Sequence, residues 1–165
     1  MAFDAFLKID GIPGESKDAA HADWIEVVSY SHGVSQPPSN TVSSVGGAGS
    51  GRVNMSDFSI VKHLDKSSNK IAEACCTGKH IPSVVLEICR AGGDKLRYMT
   101  YTLSDSMVSS FRAGGTSHGG DEVPLEDVSF NFGKIEWTYT QQDRKTGAGA
   151  GNVSAGWNLV TNTKV

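Results

Sequence analysis

The chain carries only three cysteines among its 165 residues, an odd number with no Cys-x-x-Cys spacing. That excludes a disulfide framework and points to free thiols in a reducing cytoplasm. Basic residues are not in excess: charged residues make up 20% and the net charge is -3, so there is no positive surplus to neutralise a phosphate backbone, and nucleic acid is not an expected partner. No apolar run approaches the ~18 residues of a membrane span, and membrane insertion is not expected. The start, Met1-Ala2-Phe3-Asp4-Ala5-Phe6-Leu7-Lys8, lacks a basic segment followed by a long apolar one, so the expectation is a soluble protein not addressed to the general secretory route. With 38% apolar residues, the composition suits one domain around one core.

Glycine is abundant instead: nineteen glycines against five prolines suit a domain of turns and bulges better than a helical bundle. The segment Val34 to Arg52 is the longest stretch that cannot be core. It holds Gln36, Pro37, Pro38, Ser39, Asn40, Thr41, Val42, Ser43, Ser44 and Val45, then Gly46 and Gly47, and ends at Arg52. A structureless connection well beyond about 12 residues is more often functional than filler. Having no acid and one terminal Arg, it reads as an arm for protein contacts.

Either side of the arm the pattern is that of strands. Phe3, Ala5, Leu7 and Ile9 alternate with polar residues, and Gly11-Ile12-Pro13-Gly14 stops the run. Trp24 to His32 is rich in aromatic and β-branched types and ends at Gly33, with the polar Glu15 to His21 as a loop before it. Val53 to Leu64 resumes strand character, with Phe58 and Ile60 on one face. The period then changes: Asp65 to Asn69 offer capping side chains, Ile71, Ala74 and Cys75 recur at helical spacing, and Gly78 stands at the C-cap, predicting one helix over 67–78.

Residues 84–90 and 96–103 flank Ala91-Gly92-Gly93-Asp94 and predict a hairpin. Met107 to Phe111 reads as a further strand, followed by a glycine-rich loop from Ala113 to Gly120. Between Val128 and Tyr139 the apolar phase slips: Val128, Phe130 and Phe132 are even, whereas Ile135, Trp137 and Tyr139 are odd. A bulge or sharp bend is predicted at Gly133, a device used at barrel corners. Gln141 to Val153 reads as a linker and Gly156 to Val160 as the closing strand. Many strands, one helix and a bulge predict a mainly β protein, an antiparallel β-barrel with one flanking helix and a protruding loop over 34–52.

Catalytic motifs are missing. Gly47-Ala48-Gly49-Ser50-Gly51 resembles a phosphate loop only in composition, since no Gly-Lys-Ser/Thr follows and a strand comes next. There is no Gly-x-Ser-x-Gly elbow. Cys75 reads as a small buried hydrophobe on the helix face. Among the five histidines only His118 has acids nearby in sequence, Asp121 and Glu122, and a surface cluster is the plainer reading than a metal site. Trp24, Trp137 and Trp157 read as core or subunit contacts, with a sugar-binding face as the alternative. No enzyme activity, metal or cofactor is expected.

The order of blocks carries a further signal. Gly14-Glu15-Ser16-Lys17-Asp18, Trp24 to Gly33, the glycine-rich arm, Phe58 to Ser67, Ala74-Cys75 and Gly78-Lys79-His80 are followed by Tyr101-Thr102-Leu103 with Val108-Ser109-Ser110. Val128 to Phe132, Ile135 to Tyr139 and Gly156-Trp157-Asn158 complete the series. In that order, over essentially the whole chain, they resemble the Hcp (haemolysin-coregulated protein) family. The resemblance implies a hexameric ring that stacks into the inner tube of the bacterial type VI secretion system, has no enzymatic activity, and is itself exported. Its implied partners are its own copies, the tip spike, the contractile sheath and small effectors held in the lumen. The arm from Gln36 to Arg52 is then the candidate ring-stacking or subunit surface, and Gly114, Gly115, Thr116 and Ser117 are the candidate lumen residues. The chain ends shortly after Gly156-Trp157-Asn158, so no C-terminal effector domain is expected. A monomeric barrel binding a small ligand such as a sugar is the alternative.

Overall fold

In a computed structural model, residues 2–37, 51–93, 95–118, 120, 123–143, 146 and 149–165 are described. The strands follow the alternation of the sequence. β1 (Phe3–Ile9) turns its odd positions inward, so that Ala5, Leu7 and Ile9 join the main core. β2 (Ile25–Ser31) leads into a short pair, β3 (Val34–Ser35) and β4 (Asn54–Met55), before β5 (Phe58–His63). After α1 (Ser68–Thr77), the one helix among the described residues, come β6 (Ile81–Arg90), β7 (Arg97–Ala113), β8 (Leu125–Gln142), β9 (Gly149–Asn158) and β10 (Thr163–Lys164).

Among the described residues every strand pairing is antiparallel. The ladder runs β7–β6–β1–β2–β5–β8, and β8 pairs again with β7, closing a six-stranded barrel with β9 and β10 added outside β8. Closure removes the sheet edges that an open sheet of these strands would expose. Leu7, Ile25, Ile60, Leu86, Leu103, Phe130 and Ile135 fill the interior at 1% exposure or less. Burying side chains of this size contributes about 1.5–3 kcal/mol each.

The helix lies one residue inside each of its expected bounds. Ile71 and Ala74 are buried, and Cys75 packs against the core. Gly78 takes a left-handed φ of 63°; its N–H donates to the Cys75 carbonyl and the Lys79 N–H to the Ala74 carbonyl, which terminates the helix. At the other end no side chain caps from Ser67. Asp65 Oδ1 instead accepts from the Ser67 N–H at 2.9 Å, and Ser68 Oγ accepts from the Asp65 N–H at 3.1 Å.

The phase slip near Gly133 is a bend, and it involves three strands. Leu103 pairs with Ile135 and Ser106 with Phe132, so the β7–β8 ladder passes Gly133 without an inserted residue; the register shift lies between Val108 and Ser110. Burial changes phase at one level in all three strands: between Ile81 and Val84, between Leu103 and Ser106, and between Phe132 and Ile135. Asp105 makes the turn there with a φ of 51°. A Cβ at Gly133 would stand 3.3 Å from both Asp105 Cβ and Val160 Cγ2, a tight fit that favours glycine at the bend.

Two sequence expectations are corrected. Met107 to Phe111 is not a separate strand but the second half of the 17-residue β7, continued through the bend. Gln141 to Val153 is mostly strand rather than linker: β8 runs to Gln142, β9 starts at Gly149, and β10 follows Val160. Glycine hid β9 from its composition. Yet a Cβ at Gly156 would stand 3.0 Å from Glu136 Cγ and 3.1 Å from the Ile135 carbonyl oxygen, so glycine is what lets β9 lie flat on β8.

Candidate assembly surfaces

The arm leaves and returns to the barrel as a two-stranded stalk. Val34 pairs with Met55 and Ser35 with Asn54. Gly33 N–H donates to Ser56 Oγ at 2.8 Å, and the Ser56 N–H donates to the Gly33 carbonyl at 2.9 Å. Above the stalk the Gln36 amide donates to the Gly51 carbonyl, and Arg52 reaches across to donate to the Leu159 carbonyl in the β9–β10 turn. Gln36, Pro37 and Arg52 are therefore exposed residues at the root of the arm. Pro38, Ser39, Asn40, Thr41, Val42, Ser43, Ser44, Val45, Gly46 and Gly47 lie outside the described residues.

Gly114, Gly115, Thr116 and Ser117 are all exposed, in the connection from β7 to β8. Gly115 lies against Pro124 at the far side of that connection. These four belong to a different connection from the arm root, which joins β2 to β5.

Trp137 and Trp157 share the core side of the β8–β9 pair, Trp157 standing opposite Ile135, whereas Trp24 lies elsewhere. Trp24 sits edge-on to His21, over the outer side of β1, with Lys8 Nζ 5.8 Å from its ring centroid. Trp137 packs against the main core, and Trp157 lies half-buried on β9.

Sequence reasoning missed two polar clusters. The loop after β1 is not a free polar connection: His21 is 3% exposed and stacks on Phe6 with ring centroids 4.2 Å apart. Its Nδ1 lies 2.8 Å from Asp18 Oδ2 and its Nε2 2.7 Å from Glu87 Oε2. Lys95 and Arg97 contact the same carboxylates, at 2.7 Å and 2.8 Å. The hydrogen bond from Lys95, with help from His21, pulls the Asp18 pKa down to about 2. Beneath them burial pushes the Cys89 thiol up to about 11, leaving it in the unreactive protonated form.

The second cluster centres on Lys62, whose ammonium is wholly buried with Glu126, Asp65, Ser68 Oγ and the His63 carbonyl all within 3.1 Å. It ties the start of α1 to β5 and β8. Around His32, Phe58 and Phe132 stand 5.5 Å and 5.6 Å away, and burial lowers the histidine pKa. His118 is exposed, while Asp121 and Glu122 lie outside the described residues. Among the described residues no group of three or more His, Cys, Asp or Glu side chains is placed to hold a metal.

Comparison with known proteins agrees on what this fold belongs to. The family model for the type VI secretion system effector Hcp matches residues 6–139. The chain belongs to the Hcp family. It is 39% identical over 165 residues to Protein hcp1 of Pseudomonas aeruginosa, covering 99% of each chain. A solved type six secretion system protein superposes with a TM-score of 0.92 at 34% identity, over 99% of this chain and 100% of the other. Hcp1 of Salmonella typhimurium gives a TM-score of 0.80 at 29% identity, over 99% and 100%. This Hcp chain is thus a member of a type VI secretion tube family. Among the described residues no helix is long and apolar enough to cross a membrane.

Proposed function

We propose that this Hcp chain is the tube subunit itself, assembling into hexameric rings that stack into the inner tube of a type VI apparatus. The lumen of the rings carries and protects small effector proteins, and the chain leaves the cell with its cargo through the apparatus. The full-length likeness to P. aeruginosa hcp1 carries this reading. It accords with a chain in which the sequence holds no catalytic motif and in which the root of the arm is held as a two-stranded pair, β3 with β4. Gln36 to Arg52 is the proposed stacking or neighbour contact, reaching along the tube axis, and Gly114 to Ser117 the proposed lumen surface. The tip spike and the sheath are the further partners.

Light scattering on the purified chain, with negative-stain microscopy, tests the assembly. Annular particles of six-chain mass are the expected result; a concentration-independent monomer without annuli overturns the reading. Recovery of small effector proteins with intact rings, and their loss when the rings are dissociated, tests the cargo role.

A further inference from the structure

His32 stands between β2 and the root of the arm. The residue is half-buried, yet both of its ring nitrogens are sealed from solvent and neither has a hydrogen-bond partner. Its ring stacks on Phe58 from β5 and meets Phe132 edge-on from β8, with Trp137 6.4 Å away on the same strand. The Ser56 backbone lies near but out of hydrogen-bonding geometry, so it opposes only part of the burial that lowers the His32 pKa. A neutral imidazole carries one N–H and one lone pair, and this packing leaves both unmet.

The charged side chains on the elements packed around it are engaged elsewhere. Asp57, beside Phe58, accepts from Ser109 and Asn131. Lys134 and Glu136 alternate with Ile135 and Trp137, so they lie on the other face of β8, 3.9 Å from one another. Arg52 donates to the Leu159 carbonyl. Tyr30, on the strand that leads to His32, and Tyr101 on β7 flank Phe58 with phenols and no carboxylate. Among the described groups none offers an imidazolium a counter-charge. Contact of the cation with the Phe58 ring compensates in part, but it does not replace the hydrogen bonds that two N–H groups need, so a protonated His32 has to turn out to water.

One glycine joins this ring to the root. Gly33 N–H donates to Ser56 Oγ at 2.8 Å and the Ser56 N–H donates to the Gly33 carbonyl at 2.9 Å, next to the pairs Val34–Met55 and Ser35–Asn54. Ser56 in turn is two residues from Phe58, so both legs of the root start from the His32–Phe58 contact. We infer that proton uptake by His32 opens the root of the arm, parting β3 from β4 while the barrel stays closed, and that ring stacking is lost with it in acid. The barrel is spared because β3 and β4 form a sheet of their own, outside its ladder. The stacking part rests on the assembly reading above; the opening of the root stands without it.

Hydrogen exchange read by mass spectrometry on the full-length chain at pH 7.5 and pH 5.5, corrected for its intrinsic pH dependence, tests the opening. Peptides covering residues 32–36 and 53–57 are compared with peptides from β1 and β6. In the wild type, protection at the root is expected to fall several-fold, with about tenfold as the limit for one proton on a solvent-exposed imidazole of pKa about 6.5, while the barrel peptides hold. His32→Phe keeps a ring in the cluster but cannot titrate, and is expected to show no fall. A wild-type root with unchanged protection overturns the inference, as do equal falls in wild type and variant. Should His32→Phe not fold, the titration of the carbon-13-labelled His32 ring followed by NMR in the wild type replaces it, and protection lost at a pH away from that titration overturns the inference. Negative-stain images at the two pH values are expected to show wild-type stacks dispersing into single rings and His32→Phe stacks persisting. Wild-type stacks that persist over an opened root overturn the stacking part. A wild-type chain without rings at pH 7.5 overturns the assembly reading itself and leaves the exchange result at the root intact, so the two failures are distinguishable.

Discussion

Lys62 Nζ lies 3.1 Å from Glu126 Oε2, with both side chains sealed from solvent. Two charges taken out of water recover their desolvation cost only when every donor and acceptor is met. Here the ammonium also has Asp65, Ser68 and the His63 carbonyl. Lys62→Met leaves Glu126 buried without its cation and is expected to cost about 3–5 kcal/mol in denaturant unfolding. Replacing both, as Lys62→Met/Glu126→Met, is expected to recover most of that loss. A double variant as unstable as the single would mean that the pair itself, rather than an orphaned charge, supplies the stability.

Asp18 ties the acid stability of the first loop to its neighbours. Its carboxyl is held down to about 2 from an ordinary 3.8, first by the Lys95 hydrogen bond and next by His21. A depressed carboxyl stabilises the fold in full above its unfolded value and loses that contribution as pH falls from about 3.8 toward 2. The protection factors of the amides in residues 14–24, observed exchange corrected for its intrinsic pH dependence, are expected to fall through that window in the wild type. Asp18→Asn is expected to flatten the dependence and to exchange faster already at pH 6.

His32 has the opposite charge chemistry. Burial depresses its pKa below 6.5, against the Ser56 backbone, so the native imidazole stays neutral where the unfolded one begins to take a proton. Stability from this site is full above about 6.5 and is lost as pH falls through the folded value. His32→Phe keeps an aromatic ring among Phe58, Phe132 and Trp137. Urea midpoints between pH 7.5 and 5 are expected to fall less for the variant than for the wild type, and parallel slopes would rule out His32 as the titrating group.

The local signals were legible in the sequence because local physics made them. Phe3 to Ile9 alternates with period two, and Ile71, Ala74 and Gly78 mark a helix face and its stop. The phase slip at Gly133 announced a bend, although only the pairing of β7 with β8 shows that Asp105 turns with it and that no residue is inserted. β9 was obscured because its glycines weaken every strand signal, while its reason for being flat lies on β8. The polar clusters were hidden for a different reason. His21 meets Glu87 from 66 residues away, and Lys62 meets Glu126 from 64, so each looked like an ordinary polar residue until the barrel closed.

The arm can be tested apart from the barrel because its root is closed without it. Pro37 and Gly51 approach one another, the Gln36 amide bonds the Gly51 carbonyl, and Arg52 is anchored on Leu159. Deleting Pro38 to Gly49 therefore asks the chain to cross a gap that the stalk already spans, and shortening a loop between fixed ends lowers its closure entropy rather than straining the sheet. The thermal transition is expected to stay within a few degrees of the wild type. If the arm acts along the tube axis, single rings persist in light scattering while stacks vanish from negative-stain images. If it acts sideways, the rings themselves are lost, whereas stacking at wild-type frequency removes the arm's proposed role. Arg52→Ala removes the anchor on the Leu159 carbonyl but keeps residues 36–51 of the arm, and is expected to weaken stacking without abolishing it.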